Sequence, residues 1–451
     1  MKIICILLTV LCIGCSKPGA REARLRGSVK ELGQKVVTMT YDGYTSAIFG
    51  NRDIKITPDS AGYFEIAVPL DAPAYYTIGQ NLLLLCPGDD IEVVIARAPA
   101  NSVFNGQGSE ACEYLKGYRW SDSRNMGYGF GDSPPFAELQ AKADSIEQVR
   151  RTQLAALGGA DGQFRARESA RLTADRINLW FGNIYKTEFY KWDDTPEARE
   201  QKKLDYYTSI APDIEPMLAL IDRDGKLLDV SSVREVLLEC YDSGRLAMHA
   251  TPLLKELSAV AKVAGDMDNG ITKANHARFA DYANTISDAG IKVAYEAKLA
   301  ARSRLMEGQP AINVELRDRH GNISKLSDHK GKPLFIDFWA TWCLPCLAQS
   351  PRFKELSEQY PEIEFVAVSI DQDEEKWRKK VESDGDHAAI SEYIADAYSI
   401  ADKWDVTSIP RFLMIDADFN IVTAFAPRPS DAAKVIPMLD RLAGRVNTQP
   451  Q

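Results

Sequence analysis

Trp342-Cys343-Leu344-Pro345-Cys346 is the stretch that decides the fold of the C-terminal part of this chain. Two thiols separated by two residues can close into a small disulfide ring and open again. The stretch follows the apolar run 333–340, which predicts a buried strand, and it precedes residues 347–356, which predict a helix. A thiol pair at a strand-to-helix turn indicates a redox site.

The position of Cys343 at the start of the predicted helix favours its thiolate form. There its sulfur faces backbone N–H groups that have no intrahelical partner, together with the positive end of the helix dipole. We therefore expect Cys343 to be the catalytic nucleophile and Cys346, one turn further on, to be the buried resolving thiol. Pro345 is compatible with the first helical turn, because its missing N–H would have no partner there.

Asp337 interrupts the otherwise apolar predicted strand, six residues before Cys343. A buried carboxylate is costly, and its pKa tends to rise unless it is paired. Our hypothesis is that Asp337 is catalytic and accepts the proton of Cys346 when that thiol must attack. The alternative is an aspartate at an edge or facing solvent.

Several separated features resemble the thioredoxin superfamily over about residues 308–444. These features are the run 337–343, Pro345 and Cys346 after it, Pro351 five residues beyond the second cysteine, and Ile409-Pro410 before an apolar strand. The resemblance implies a C-terminal α/β thioredoxin-like domain. It also implies a cis peptide bond before Pro410 that faces the cysteine pair, with substrate docking by Trp342, Ile409, Pro410 and Arg411.

The segments around this core are similar to those of envelope-tethered, TlpA/ResA-like disulfide reductases. The similarity lies in residues 308–311, 320–322 and 326–332, and in the long stretch 371–410, whose part 392–404 predicts a helix. This resemblance implies thiol:disulfide oxidoreductase activity on protein disulfide substrates. It also implies an electron donor, which we expect to be a membrane thiol-relay protein.

Two positions near the expected site differ from the pattern of the superfamily. Ala367 stands where thioredoxin has a lysine beside the buried aspartate, so Asp337 would stay protonated to higher pH. Arg411 follows the expected cis-proline where threonine is frequent. Its charge could favour the Cys343 thiolate or contact an acidic partner, or it could simply be solvated.

The dipeptide between the cysteines, Leu344-Pro345, lacks the histidine of strongly oxidising relatives and favours a reductase. Two alternatives stay open. One is a disulfide oxidase or isomerase, and the other is a binding lipoprotein whose thiols are secondary.

The N-terminus predicts export. A lysine and the apolar run 3–13 form a charged and a hydrophobic region, the latter far shorter than the roughly 20 residues that span a bilayer. Residues 11–16 resemble a bacterial lipobox, in which the cysteine, here Cys15, receives a lipid after cleavage. We expect a signal peptide over 1–14 and a tether over 15–22, with the chain lipid-anchored in a bacterial cell envelope and facing the periplasm.

Between the tether and the redox domain the sequence predicts two further regions, so the chain is expected to be multidomain. Residues 23–108 predict short strands separated by turn residues, hence an antiparallel, sandwich-like β domain, whereas 109–307 predict a helical region. The thioredoxin-like domain is expected over 308–446 and a frayed tail over 447–451. This order of modules resembles lipoproteins common in Bacteroidota.

Composition excludes some functions. The formal net charge of -10 argues against a nucleic-acid partner. The five histidines are dispersed without paired ligand spacing, so we predict neither a metal site nor a cofactor.

Overall fold

A computed structural model describes most of the chain. The described residues are 21–117, 135–158, 162–184, 195–221, 226–244, 250–385 and 389–445. The predicted signal peptide 1–14, Cys15 with most of the tether, and the tail 447–451 lie outside them. The chain divides into two compact units, Met1–Ala261 and Lys262–Gln451.

The first unit begins with a β-rich domain, as predicted. One sheet has the strand order β4-β1-β7-β8 and another has the order β3-β2-β5-β6. The pairing is antiparallel except between β1 and β7, which are parallel. A parallel pair needs a crossover of a dozen or more residues, and the strands between β1 and β7 supply it. The strands are β1 (Glu22–Ser28), β2 (Val37–Tyr41), β3 (Ile54–Ile56), β4 (Tyr63–Pro69), β5 (Ala74–Ile78), β6 (Asn81–Leu85), β7 (Asp90–Val94) and β8 (Val103–Gln107).

A helical region follows, as predicted. Its helices are α1 (Ser109–Leu115), α2 (Phe136–Ala156), α3 (Gly162–Asn183), α4 (Pro196–Leu218), α5 (Ser231–Ser243), α6 (Pro252–Asp266), α7 (Lys273–Ala283) and α8 (Ala289–Ser303). The second compact unit begins at Lys262, so it includes α7 and α8. The predicted domain boundary, after residue 307, follows these helices.

The second unit contains the expected thioredoxin-like domain. Its sheet has the order β10-β9-β13-β12-β11-β14-β15, with β11 parallel to β12 and antiparallel to β14. The strands are β9 (Glu315–Arg317), β10 (Ile323–Lys325), β11 (Leu334–Trp339), β12 (Glu364–Ser369), β13 (Ile390–Ile394), β14 (Arg411–Ile415) and β15 (Ile421–Ala426). The helices are α9 (Leu344–Leu347), α10 (Ser350–Gln359), α11 (Glu374–Asp384), α12 (Ala397–Trp404) and α13 (Ala432–Leu442).

Strand β11, which leads into the redox site, is covered on both faces. Phe335 and Trp339 pack into one hydrophobic cluster, whereas Ile336 and Phe338 pack into another on the opposite face. Such a strand is expected to be apolar throughout, and Asp337 is its polar exception. The first of these clusters also contains the cysteine pair, so we call it the redox face of the sheet.

Two helix predictions were wrong at their boundaries. The helix predicted from residue 392 begins at Ala397, because Asp396 caps it by accepting a hydrogen bond from the Ser399 N–H at 2.8 Å. Residues before that cap form β13, in which Glu392 takes part. The single helix predicted over 347–356 is two helices, α9 and α10, and Pro351 lies in the first turn of α10.

Candidate redox site

The cysteine pair lies at the start of α9, as the sequence predicted. Cys343 and Cys346 form a disulfide with their Cα atoms 5.2 Å apart. Cys343 is the N-cap of α9, and its Sγ accepts a hydrogen bond from the Cys346 N–H at 3.2 Å. Cys343 is 5% exposed and Cys346 is 0% exposed. The structure therefore presents Cys343 on the outer side of the pair, which is the order that an attacking and a resolving thiol require.

The turn before the pair is held by a buried carboxylate that our interpretation of the sequence missed. Asp371 follows β12 and accepts hydrogen bonds from the Thr341 N–H and hydroxyl, each at 2.8 Å. It also accepts one from the Ser369 hydroxyl at 2.7 Å. Asp371 begins the acidic run 371–375, and only the fold shows that it reaches back to Thr341, two residues before Cys343.

The rim of the site is apolar and exposed. Trp342 is 60% exposed and Leu344 is 76% exposed, so the buried disulfide is flanked by two large side chains that face solvent. The Ile409-Pro410 peptide bond is cis, as expected. Ile409 packs against both hydrophobic clusters of the domain, including the one that contains both cysteines. Exposed apolar residues beside a reactive group are the usual feature of a surface that binds another chain.

Arg411 does not reach the disulfide. Residues alternate along β14, so Phe412 joins the redox face and Arg411 points to the other face. There its guanidinium lies 4.2 Å from the centre of the Phe425 ring. Burial, and then the neighbouring charge of Arg302, lower the pKa of Arg411 to about 10. The structure thus places the charged end of Arg411 away from the cysteine pair, whereas the preceding Ile409 packs against the cluster that contains both cysteines.

Asp337 is buried on the redox face, as predicted. It is 4% exposed, and its Oδ1 has no hydrogen-bond partner among the described residues. The register pairs it with Phe412 on one side and Ala367 on the other. Burial raises the pKa of Asp337 well above its ordinary value, and the negative charge of Glu392 raises it further. Ala367 offers no cation to oppose either effect.

Glu392 is the second residue that the sequence interpretation missed. Glu392 lies in β13 and is paired with Ala367 of β12, which is in turn paired with Asp337 of β11. One residue therefore separates the two acids across the sheet. Ile390 and Ile394 are four residues apart, a spacing that suits one face of a helix as well as one face of a strand, and the position between them on the strand face is Glu392 itself. A helix over this segment would not bring Glu392 into register with Asp337, which is distant in the sequence, so the helix prediction hid their proximity.

Within the ranges that the structure describes, no group of three or more histidine, cysteine or acidic residues has the arrangement of a metal site. Likewise, no described helix combines the length and the apolar character that crossing a membrane requires.

Comparison with known proteins agrees with the geometry of the site. A family model described as thioredoxin-like matches residues 331–421. The thiol-disulfide oxidoreductase ResA of Bacillus subtilis is 30% identical over 132 residues, which are 28% of this chain and 72% of ResA. The thioredoxin-like protein YneN of the same organism is 32% identical over 114 residues, which are 25% of this chain and 66% of YneN.

Among solved structures, one of a Bacteroides vulgatus protein described as a thiol-disulfide oxidoreductase is 39% identical. The match covers 31% of the present chain and 99% of the Bacteroides vulgatus chain, with a TM-score of 0.30. The segment that the family model matches contains Asp337, both cysteines and Ile409-Pro410.

Proposed function

Through its C-terminal domain this chain belongs to the thioredoxin-like thiol-disulfide oxidoreductases, and we propose that it works as a disulfide reductase on protein substrates. One observation supports this direction above all. The potential of a cysteine pair rises when the protein stabilises the nucleophilic thiolate. Leu344-Pro345 carries no charge, and the Arg411 guanidinium lies on the opposite face of the sheet, so neither one stabilises a thiolate at Cys343.

We assign the steps to the predicted residues. The Cys343 thiolate attacks a substrate disulfide and forms a mixed disulfide, and the first substrate sulfur leaves as a thiolate and takes up a proton. Asp337 then accepts the proton of Cys346, whose sulfur attacks Cys343 Sγ. The second substrate sulfur leaves and is protonated. The substrate gains two electrons and two protons, and the chain keeps the Cys343–Cys346 disulfide.

Substrate docking is assigned to the exposed apolar rim. Trp342 and Leu344 would contact the incoming chain, and the backbone of Ile409 beside the cis-Pro410 would align it. An extended segment with apolar side chains next to its cysteine fits this surface better than a charged one.

The location and electron supply complete the proposal. The apolar run 3–13 and the lipobox-like residues 11–16 support export and a lipid anchor on Cys15, with the chain facing the periplasm. An oxidising compartment would leave the pair oxidised, so turnover needs a donor. We propose a membrane thiol-relay protein in that role. Loss of fatty-acid labelling in a Cys15→Ser variant, with labelling of the wild type, tests the anchor.

The direction of electron flow is tested by the redox potential of the pair and by insulin reduction. We expect a potential nearer that of thioredoxin, about -270 mV, than that of the oxidant DsbA, about -120 mV. Reduction should be abolished in Cys343→Ser. A potential above about -150 mV would instead support an oxidase or isomerase, and unchanged activity of Cys343→Ser would support a binding protein. A Cys346→Ser variant should trap substrates as mixed disulfides on Cys343.

A further inference from the structure

Two acids share one row of the sheet beneath the disulfide. Asp337, Ala367 and Glu392 lie in register on three neighbouring parallel strands, β11, β12 and β13. In-register residues on neighbouring strands project from the same face, and the strands are about 4.8 Å apart. Ala367, between the two acids, offers only a methyl group. The side chains of Asp337 and Glu392 therefore face the same space above Ala367, on the redox face.

Both carboxyl groups have a buried oxygen without a hydrogen-bond donor. In the part of the chain that the structure describes, neither Asp337 Oδ1 nor Glu392 Oε2 has a partner, and each atom is screened from solvent. Burial raises the pKa of Glu392 to about 7. Two carboxylates that share a poorly solvated space cannot both ionise easily, so they titrate as a coupled pair.

The charges around Glu392 do not cancel this effect. Lys354 from α10, Lys380 from α11 and Arg319 from the turn after β9 lower its pKa, whereas Asp384 from α11 raises it. Burial outweighs them all. Glu392 is only partly buried as a residue, whereas Asp337 is fully buried, so Glu392 is the member of the pair that lies nearer to solvent.

We propose that Glu392 is a positioning residue that shares one proton with Asp337 and returns that proton to solvent. This inference rests on the proposed function of the cysteine pair. When Asp337 and Glu392 together hold one proton, one of their carboxylates is left to accept the proton of Cys346. When Cys346 Sγ closes the disulfide, the two acids together hold two protons. One of them leaves through the partly exposed Glu392, which restores the pair for the next turnover.

The coupling can be measured without any assay of activity. In full-length oxidised protein carrying ¹³C-carboxyl aspartate, the Asp337 resonance is assigned by its loss in Asp337→Asn. We expect Glu392→Gln to shift the Asp337 titration to lower pH, because the neighbouring negative charge is gone. With ¹³C-carboxyl glutamate, the Glu392 resonance of the wild type should also respond at the pH at which Asp337 ionises, and Asp337→Asn should remove that response, since coupled groups titrate in shared steps.

Glu364→Gln is the matched control, because Glu364 lies in β12 of the same sheet and is bound instead to His329. Glu364→Gln should leave the pH at which Asp337 titrates unchanged. The inference is overturned if Glu392→Gln leaves it in place as well, or if Glu364→Gln shifts it equally.

A kinetic readout links the pair to turnover. The rate at which Cys346 resolves a mixed disulfide preformed on Cys343 is followed against pH by rapid mixing. We expect the acid limb of this profile to move to higher pH in Glu392→Gln, since Asp337 must then lose its own proton before it can accept one, whereas the intact pair needs to lose only one of its two protons. A uniform loss of rate with no shift would mark a merely structural role and overturn the proposal. Failure of the reductase assignment would appear separately, in the redox potential.

Discussion

At the scale of single residues, Asp337 shows how a catalytic group is kept at a cost in stability. Its carboxyl is buried beside another acid and lacks a cation, so its pKa is raised in the folded chain. Between the unfolded value, about 4, and the raised value, the folded protein keeps a proton that the unfolded chain has lost. Stability therefore falls as pH rises through this window and stays low above it.

Asp337→Asn should consequently stabilise the protein while it slows catalysis. We expect the free energy of unfolding at pH 8 to rise by about 1.4 kcal/mol for each unit by which folding raises this pKa, because asparagine has no proton to lose on unfolding. The gain should vanish below pH 4, where both states are protonated. Urea unfolding at several pH values measures it.

Glu364→Gln should have the opposite effect on the pH dependence of stability in the same experiment. The hydrogen bond from His329 lowers the pKa of Glu364, so its carboxylate stabilises the fold at neutral pH and that contribution is lost on acidification. The interpretation of Asp337 would fail if Asp337→Asn lost stability at pH 8.

At the scale of elements, the turn 340–343 is positioned by the end of the neighbouring strand. Asp371 contacts both the backbone and the hydroxyl of Thr341, so β12 fixes the loop that emerges from β11. Small displacements at a reacting group are costly, because attack requires alignment of three sulfur atoms.

Asp371→Asn should therefore lower the rate of disulfide exchange by at least about tenfold, because an amide cannot accept from both donors of Thr341 as a carboxylate does. Stability should fall by only about 1 kcal/mol. Stopped-flow reduction of a model disulfide and thermal unfolding separate the two effects.

Asp373→Asn is the control for this prediction. Asp373 belongs to the same acidic run, but its side chain caps α11 through the Lys376 N–H at 3.0 Å. Asparagine caps helices about as well as aspartate, so this variant should change stability by less than about 0.5 kcal/mol and leave the exchange rate near that of the wild type. Equal rates for the two variants would contradict the positioning role of Asp371.

Much of this second unit could be predicted at the element scale, and the exceptions have physical causes. The CxxC turn, its preceding strand and the cis-proline carry local signals in short stretches of sequence. Glu392 and Asp371 do not, since each acquires its meaning from pairing with a distant strand. The boundary between β13 and α12 was hidden because Asp396, a capping residue, reads equally well as one more polar helical position.

At the scale of the whole molecule, buried ion pairs tie helix α8 to the domain that carries the redox site. Arg302 in α8 is 4% exposed and contacts Asp268 and Asp405, each at 2.7 Å. Asp405 directly follows α12, about 100 positions from its partner, so the sequence alone gives no sign of this contact. Both residues lie within the second compact unit, which includes α8.

Arg302→Met in the full-length chain should lower the stability of the second unit by about 3 kcal/mol, because it leaves the poorly exposed Asp405 without its ion-pair partner. Asp268 contributes less to this loss, since it keeps Lys298 at 3.0 Å. Guanidinium unfolding followed by emission of the buried tryptophans measures the change. Arg304→Met, two residues along at an exposed position, should alter stability by less than about 0.5 kcal/mol. Similar losses in both variants would show that α8 contributes through packing alone.

The solvent-facing indole of Trp342 has an optical consequence. A disulfide quenches the emission of an adjacent excited indole by accepting an electron from it, and a dithiol does so far less. Reduction of the neighbouring pair should therefore brighten the chain, and the difference between wild type and Trp342→Phe isolates that signal. Exchange in every variant with an intact Trp342 can then be followed in real time, without a dye.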